Sequence, residues 1–254
     1  RVGGGGDRDK GRPGGKGARV TGYYRYLCER RTLMTVVKIC GLRELSHMIT
    51  AADTGADLLG MVFLPTVRRY IEPEKAKDLV SNFRDQGHTQ SIVGLFADQD
   101  VEEVNTVAEY VGLDMVQLCG DNEWGPYWDK MNLPIMRVLH VLSTRKSVFA
   151  MAHPYGLRLD EIRRKGHTAI LDSQSDVQPG GLGETFDWSI ARMLANQGKR
   201  FLLAGGLTPE NVREAIETTG AYGVDVSSGV ETDGNKDISK IQTFITEAKR
   251  NSLV

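Results

Sequence analysis

Residues 36–42 read Val36-Val37-Lys38-Ile39-Cys40-Gly41-Leu42, and the way this stretch ends decides between two folds. Val36 to Ile39 is a short run rich in β-branched residues, which is the pattern of a buried strand. A doubly wound nucleotide-binding sheet would follow its first strand with a glycine-rich phosphate loop. Here a single glycine, Gly41, follows, and the glycine-rich turns come late, at Gly205-Gly206 and Ser228-Gly229.

Working outward, further strands are expected at Leu58–Phe63, Ser91–Phe96, Met115–Leu118, Ile135–His140, Ala169–Leu171, Phe201–Ala204 and Gly223–Val226. They are apolar nearly throughout instead of alternating, as parallel strands covered on both faces are. Between them run helical stripes such as Leu42, Leu45, Met48, Ile49, Ala52 and Ile238, Ile241, Phe244, Ile245, Ala248. Proline near the first helical position marks helix starts at Glu72-Pro73-Glu74 and Thr208-Pro209-Glu210, and Asp187 is placed to cap Trp188–Ala195. The helix between the fifth and sixth strands is expected to be interrupted at His153-Pro154-Tyr155-Gly156. Eight strand and helix pairs in roughly 220 residues predict an α/β protein, a single-domain (β/α)8 TIM barrel.

Residues 1–20 hold eight glycines and six basic side chains and cannot build a core. Residues 1–33 are therefore expected to be a disordered linker or leader, with Met34 as native start and residues 34–254 as the catalytic barrel. Cys28 falls in that leader and receives no role. Across the 254 residues, 32 basic side chains nearly cancel 33 acidic ones, so neither a nucleic-acid nor a membrane partner is indicated. No run of about 18 apolar residues is present to span a bilayer. Cys28, Cys40 and Cys119 are an odd number without metal-ligand spacing, which points to a reducing, cytoplasmic location.

In a barrel, chemistry sits at the C-terminal ends of the strands. Cys40 ends the first strand, where a nearby helix start is expected to lower its pKa. Arg68 and Arg69 follow the second, offering planar forks for a carboxylate or phosphate; Arg68 reads as a surface charge. His140, near the end of the fifth strand, reads as a structural histidine. Asp172 ends the sixth and is followed by Ser173–Gly183, glycine-rich enough to be a mobile lid. The loops after strands seven and eight carry Gly205, Gly206, Ser227, Ser228 and Gly229, the usual place for phosphate in this fold. A thiol, a carboxyl and an arginine around a phosphate site suit acid and base chemistry on a sugar phosphate.

The strings VKICGLRE, PTVRRYIEPEKA, VGLFADQ, DMVQLCGD, ILDSQ with GGLGETFDW, LAGGLTPENV and GVDVSSGVETDGNKD, in this order from about Val36 onward, resemble the phosphoribosylanthranilate isomerase family, and its fungal members in particular. The resemblance implies an Amadori rearrangement of N-(5-phosphoribosyl)anthranilate in tryptophan biosynthesis, with no cofactor and no metal. It implies Cys40 as general base, Asp172 as general acid, Arg69 on the anthranilate carboxylate, Asp225 on the substrate, and Gly205, Gly206, Ser228 and Gly229 on the phosphate. It also raises fusion to, or association with, other tryptophan-pathway domains. Two positions depart from the family pattern: Cys119 stands where histidine is usual, and Leu182 replaces the threonine of the lid. Neither touches the acid and base pair. Related barrel enzymes that rely on lysine and glutamate catalysts or on metal ligands lack those residues here, and a non-catalytic scaffold is favoured only by Cys119 and Leu182.

Overall fold

The computed structural model describes residues 35–120, 125–142, 148–174 and 188–250. The expected leader, the lid from residue 175 onward, Leu182 and the Asp187 cap lie outside the described residues, while Ser173 and Gln174, expected in the lid loop, belong to the sixth strand. Eight parallel strands close into a barrel in chain order: β1 (Val36–Ile39), β2 (Leu58–Val62), β3 (Ser91–Phe96), β4 (Met115–Leu118), β5 (Ile135–Leu142), β6 (Thr168–Gln174), β7 (Leu202–Ala204) and β8 (Gly223–Val226). Closure is made by β8 on β1, with Lys38 in register with Asp225. The helices are α1 (Leu45–Thr54), α2 (Pro73–Asp85), α3 (Val101–Val111), α4 (Gly125–Lys130), α5 (Val148–Arg164), α6 (Ser189–Asn196), α7 (Val212–Thr219) and α8 (Ile238–Lys249). A two-stranded hairpin, β9 (Glu231–Thr232) and β10 (Asn235–Lys236), follows β8.

Strand alternation divides the buried residues into two sets. Val37, Ile39, Leu59, Met61, Val116, Leu171, Leu203 and Val224 pack outward against Met48, Phe83, Leu194, Phe244 and Ile245 of the helices. The alternate positions, among them Cys40, Val62, Leu95, Gln117, Val138, Ile170 and Asp225, line a cavity at the barrel mouth. The strands therefore carry the core on one face and the chemistry on the other. Each fully buried Leu, Ile or Phe of the outer set contributes about 1.5–3 kcal/mol.

Helix signals came out unevenly. Pro73 is the first residue of α2, and Asp100 and Asp237 cap α3 and α8 by accepting from Glu103 N (2.7 Å) and Lys240 N (3.1 Å). Thr208-Pro209-Glu210 does not begin the regular helix: Thr208 to Asn211 is a turn in which Thr208 N donates to Asn211 Oδ1 (2.8 Å), and α7 starts at Val212. The expected break at Pro154 is likewise absent, since α5 runs through it. Ala152, Leu159 and Ile162 bury one face of that helix, and Tyr155 donates to the His140 carbonyl (2.8 Å). Packing over 17 residues outweighs the roughly 3 kcal/mol cost of an interior proline.

Candidate active site

The mouth of the barrel holds a cavity of about 350 Å³. Its lining includes all eight residues singled out from the sequence: Cys40, Arg69, Asp172, Gly205, Gly206, Asp225, Ser228 and Gly229. Four walls can be told apart by their chemistry.

The β1/β8 wall carries Cys40, which is 5% exposed. The expected lowering of its pKa is overturned: α1 begins five residues later, at Leu45, and burial pushes the thiol up. Lys38 and Lys236 act in the opposite direction, toward the thiolate. Beneath the thiol, Lys38 is fully buried and its Nζ lies 2.9 Å from Asp225 Oδ1. Asp225 thus holds a lysine as well as facing the cavity.

The β5/β6 wall carries Asp172. Its strand continues three residues beyond the expected Leu171, to Gln174, so the carboxyl sits inside the rim. Burial raises its pKa, while His140 lowers it and Asp225 raises it further. His140, expected to be a structural residue, lines the cavity, with Nδ1 3.8 Å from Asp172 Oδ2.

A third wall is built by the β2–α2 loop and the hairpin. Arg69 donates from Nε (2.7 Å) and Nη2 (3.0 Å) to the two oxygens of Glu231. Lys236 reaches the same carboxylate (2.8 Å) and the Ser227 carbonyl (2.7 Å). Arg68, expected to be a solvated charge, is half exposed yet bonded to Glu231 and to the Gly234 carbonyl. Burial works against Glu231 as an anion, but its hydrogen bonds from Arg69 and Lys236 bring it down to about 2. Gly41 completes the packing, because it has φ +80° and a Cβ there would meet Arg69 Cδ at 2.7 Å.

The fourth wall joins the loops after β7 and β8. A Cβ on Gly229 would lie 1.8 Å from the Leu207 carbonyl oxygen, so only glycine lets these loops touch. Gly205 and Gly206 both have positive φ, which turns the β7 loop back toward the cavity. Across from it, Cys119 accepts from Gln117 Nε2 at 3.3 Å, and burial of its sulfur pushes that thiol up to about 12.

With this geometry in place, comparison with known proteins is decisive. The profile described as N-(5'phosphoribosyl)anthranilate (PRA) isomerase matches residues 37–247. The chain belongs to the phosphoribosylanthranilate isomerase family. Among similar curated members, that of Dehalococcoides mccartyi is 38% identical over 217 residues, covering 85% of this chain and 96% of its own. The Saccharomyces cerevisiae member is 36% identical over 224 residues, covering 85% and 95%. The Thermotoga maritima crystal structure superimposes with a TM-score of 0.70 at 33% identity, covering 85% and 99%. Another isomerase crystal structure, in complex with reduced 1-(o-carboxyphenylamino)-1-deoxyribulose 5-phosphate, gives a TM-score of 0.68 at 32% identity.

As a member of the phosphoribosylanthranilate isomerase family the chain is an isomerase on a closed (β/α)8 barrel. Among the described residues no group of three or more His, Cys, Asp or Glu could hold a metal ion. No described helix is long and apolar enough to cross a membrane. Sequence reasoning missed Lys38, Glu231 and Lys236, and gave Gln117 and His140 no part in the site. The signal for Lys38 was present: a lysine inside an otherwise apolar strand belongs to the barrel interior and needs a partner. Glu231 and Lys236 lay in the quoted GVETDGNKD string, but nothing in their spacing says that they meet Arg69.

Proposed function

We propose that this cavity converts N-(5-phosphoribosyl)anthranilate to 1-(2-carboxyphenylamino)-1-deoxyribulose 5-phosphate, with Cys40 as general base and Asp172 as general acid. The observation that carries this reading is the raised, cavity-facing carboxyl of Asp172 on one wall and a thiol flanked by two lysines on another.

Asp172 donates its proton to the furanose ring oxygen, the C1–O bond breaks, and the nitrogen lone pair closes a Schiff base. Cys40 then takes the C2 proton, and the C–H electrons form the C1=C2 bond of the enolamine. Ketonisation places a proton on C1 and releases the one on the C2 hydroxyl. The protein regains its starting charges when Cys40 gives up its proton and Asp172 recovers one. Arg69, fixed by two bonds to Glu231, keeps Nη1 for the anthranilate carboxylate. Backbone N–H groups of Gly205, Gly206, Ser228 and Gly229 hold the phosphate, and Asp225 presents its second oxygen to the sugar. No cofactor enters this sequence of steps. The activity belongs to tryptophan biosynthesis in the cytoplasm.

The test is a fluorescence assay of anthranilate turnover with the purified chain. Substrate consumption by the wild type and its loss in folded Cys40→Ala is the expected pair of results. An inert wild type, together with failure to complement a tryptophan auxotroph lacking this step, would refute the reading.

A further inference from the structure

Lys38 lies on β1 and Cys40 directly follows the last residue of that strand, two positions on in the same extended direction, so their side chains point into the barrel one above the other. Lys38 is 0% exposed and is anchored by Asp225, its register partner on β8. On the other side of β1 stands Gly60 of β2. A Cβ at Gly60 would lie 3.0 Å from Cys40 Sγ and 3.2 Å from Lys38 Nζ. The bare glycine therefore leaves the space in which ammonium and sulfur face one another.

A buried ion pair is a poor source of stability, because desolvating two charges costs about what their attraction returns. A lysine at this depth calls for another reason. We propose that Lys38 is a positioning residue whose ammonium, anchored by Asp225 and admitted by Gly60, holds the Cys40 sulfur as the anion that proton abstraction requires. The proposal rests on the reading of Cys40 as base. Lys38 is not itself that base: although burial works against its charge, Asp225 and Cys40 raise its pKa above the ordinary lysine range, so it keeps its protons throughout.

The other groups facing the thiol do not replace it. Asp225 disfavours the thiolate and Lys236 favours it, but Lys236 is committed to Glu231 and Ser227. Arg69 feels Cys40 from the β2–α2 loop while bound to Glu231. Cys119, across the cavity just after β4, is held as a neutral thiol by burial. Of these, Lys38 opposes the effect of burial on Cys40 most.

The experiment is alkylation of Cys40 by iodoacetamide across pH in the whole chain, resolved from Cys28 and Cys119 by peptide mass spectrometry. Removing an opposite charge within about 4–6 Å raises a thiol midpoint by roughly 1–3 pH units, and Lys38→Met is expected to do this. Lys38→Met/Asp225→Asn, which leaves no unpaired buried carboxylate, is expected to raise it less but in the same direction. Gly60→Ala keeps both charges and parts them by one methyl group; a smaller rise is expected, and this variant carries the test if neither lysine variant folds. A Cys40 midpoint unchanged from wild type in the folded variants overturns the proposal. Failure of the base reading shows separately, as wild-type turnover in Cys40→Ala, because alkylation requires no catalysis.

Discussion

On the β1/β8 wall the Cys40 thiol stands over a buried lysine and carboxylate and beside a second lysine, whereas on the β5/β6 wall Asp172 has one imidazole 3.8 Å away. Both groups are desolvated, and both have raised pKa values. For Asp172 as the proposed acid this is the required direction; for Cys40 as the proposed base it is the wrong direction. The acid wall needs little beyond burial, and the base wall needs cations. That asymmetry explains why charge crowds one side of the mouth.

The largest expected effect breaks the acid side alone. Asp172→Asn removes the transferable proton and is expected to lower kcat by roughly 10²-fold or more. Its folded pKa is raised above the ordinary 3.8, so its contribution to stability is present below that value and is lost as pH rises through the folded pKa. The variant should therefore melt no lower than wild type at neutral pH. A drop in Tm with retained turnover would show that the carboxyl is structural.

Next comes the end of the site that uses backbone in place of side-chain charge. Gly206 has φ +62° and open space around a would-be Cβ, and aspartate tolerates the left-handed region. Gly206→Asp should fold and raise KM about 10²-fold by setting a carboxylate against the phosphate. An unchanged KM would move the phosphate elsewhere.

Glu231→Gln sharpens the comparison at the third wall. With Arg69 and Lys236 no longer fixed by a carboxylate, KM is expected to rise about tenfold with a smaller change in kcat. Glu231 has its pKa lowered to about 2 from the ordinary 4.5, so its contribution to stability is present above 4.5 and is lost as pH falls toward 2. The variant should lose that part of the acid-induced fall in Tm. A lower kcat at constant KM would contradict a positioning role.

Cys119→His is the smallest. A ring nitrogen donates a stronger hydrogen bond than a neutral thiol, and a gain of roughly twofold to tenfold in kcat/KM is expected. If the cysteine instead fills space too small for imidazole, Tm falls through overpacking. An unchanged Tm without a gain would mean that neither account holds.

The barrel was legible in the sequence because buried parallel strands read as apolar runs, and four of the eight have the bounds expected of them. The boundaries that slipped are those set by packing: α5 crosses Pro154 because its apolar face is held, and α7 starts late because Asn211 closes the preceding turn. Cys40, Asp172, Arg69 and the late glycines could be found because strand ends are the place to look. Lys38–Asp225 and Arg69–Glu231 could not, since each joins residues more than 150 positions apart and no local pattern records such a meeting. The sign of the Cys40 shift was missed for the same reason: exposure to a helix start is a local inference, and burial is a property of the closed barrel.

The most direct measurement of the division between base and acid is turnover of Cys40→Ala, Asp172→Asn and the double variant, followed by anthranilate fluorescence on proteins of confirmed fold. Each single variant is predicted to lose roughly 10²-fold or more. The double variant should lose little beyond the worse single one, because groups that act as a unit are non-additive. Wild-type-like turnover in either single variant would contradict the account.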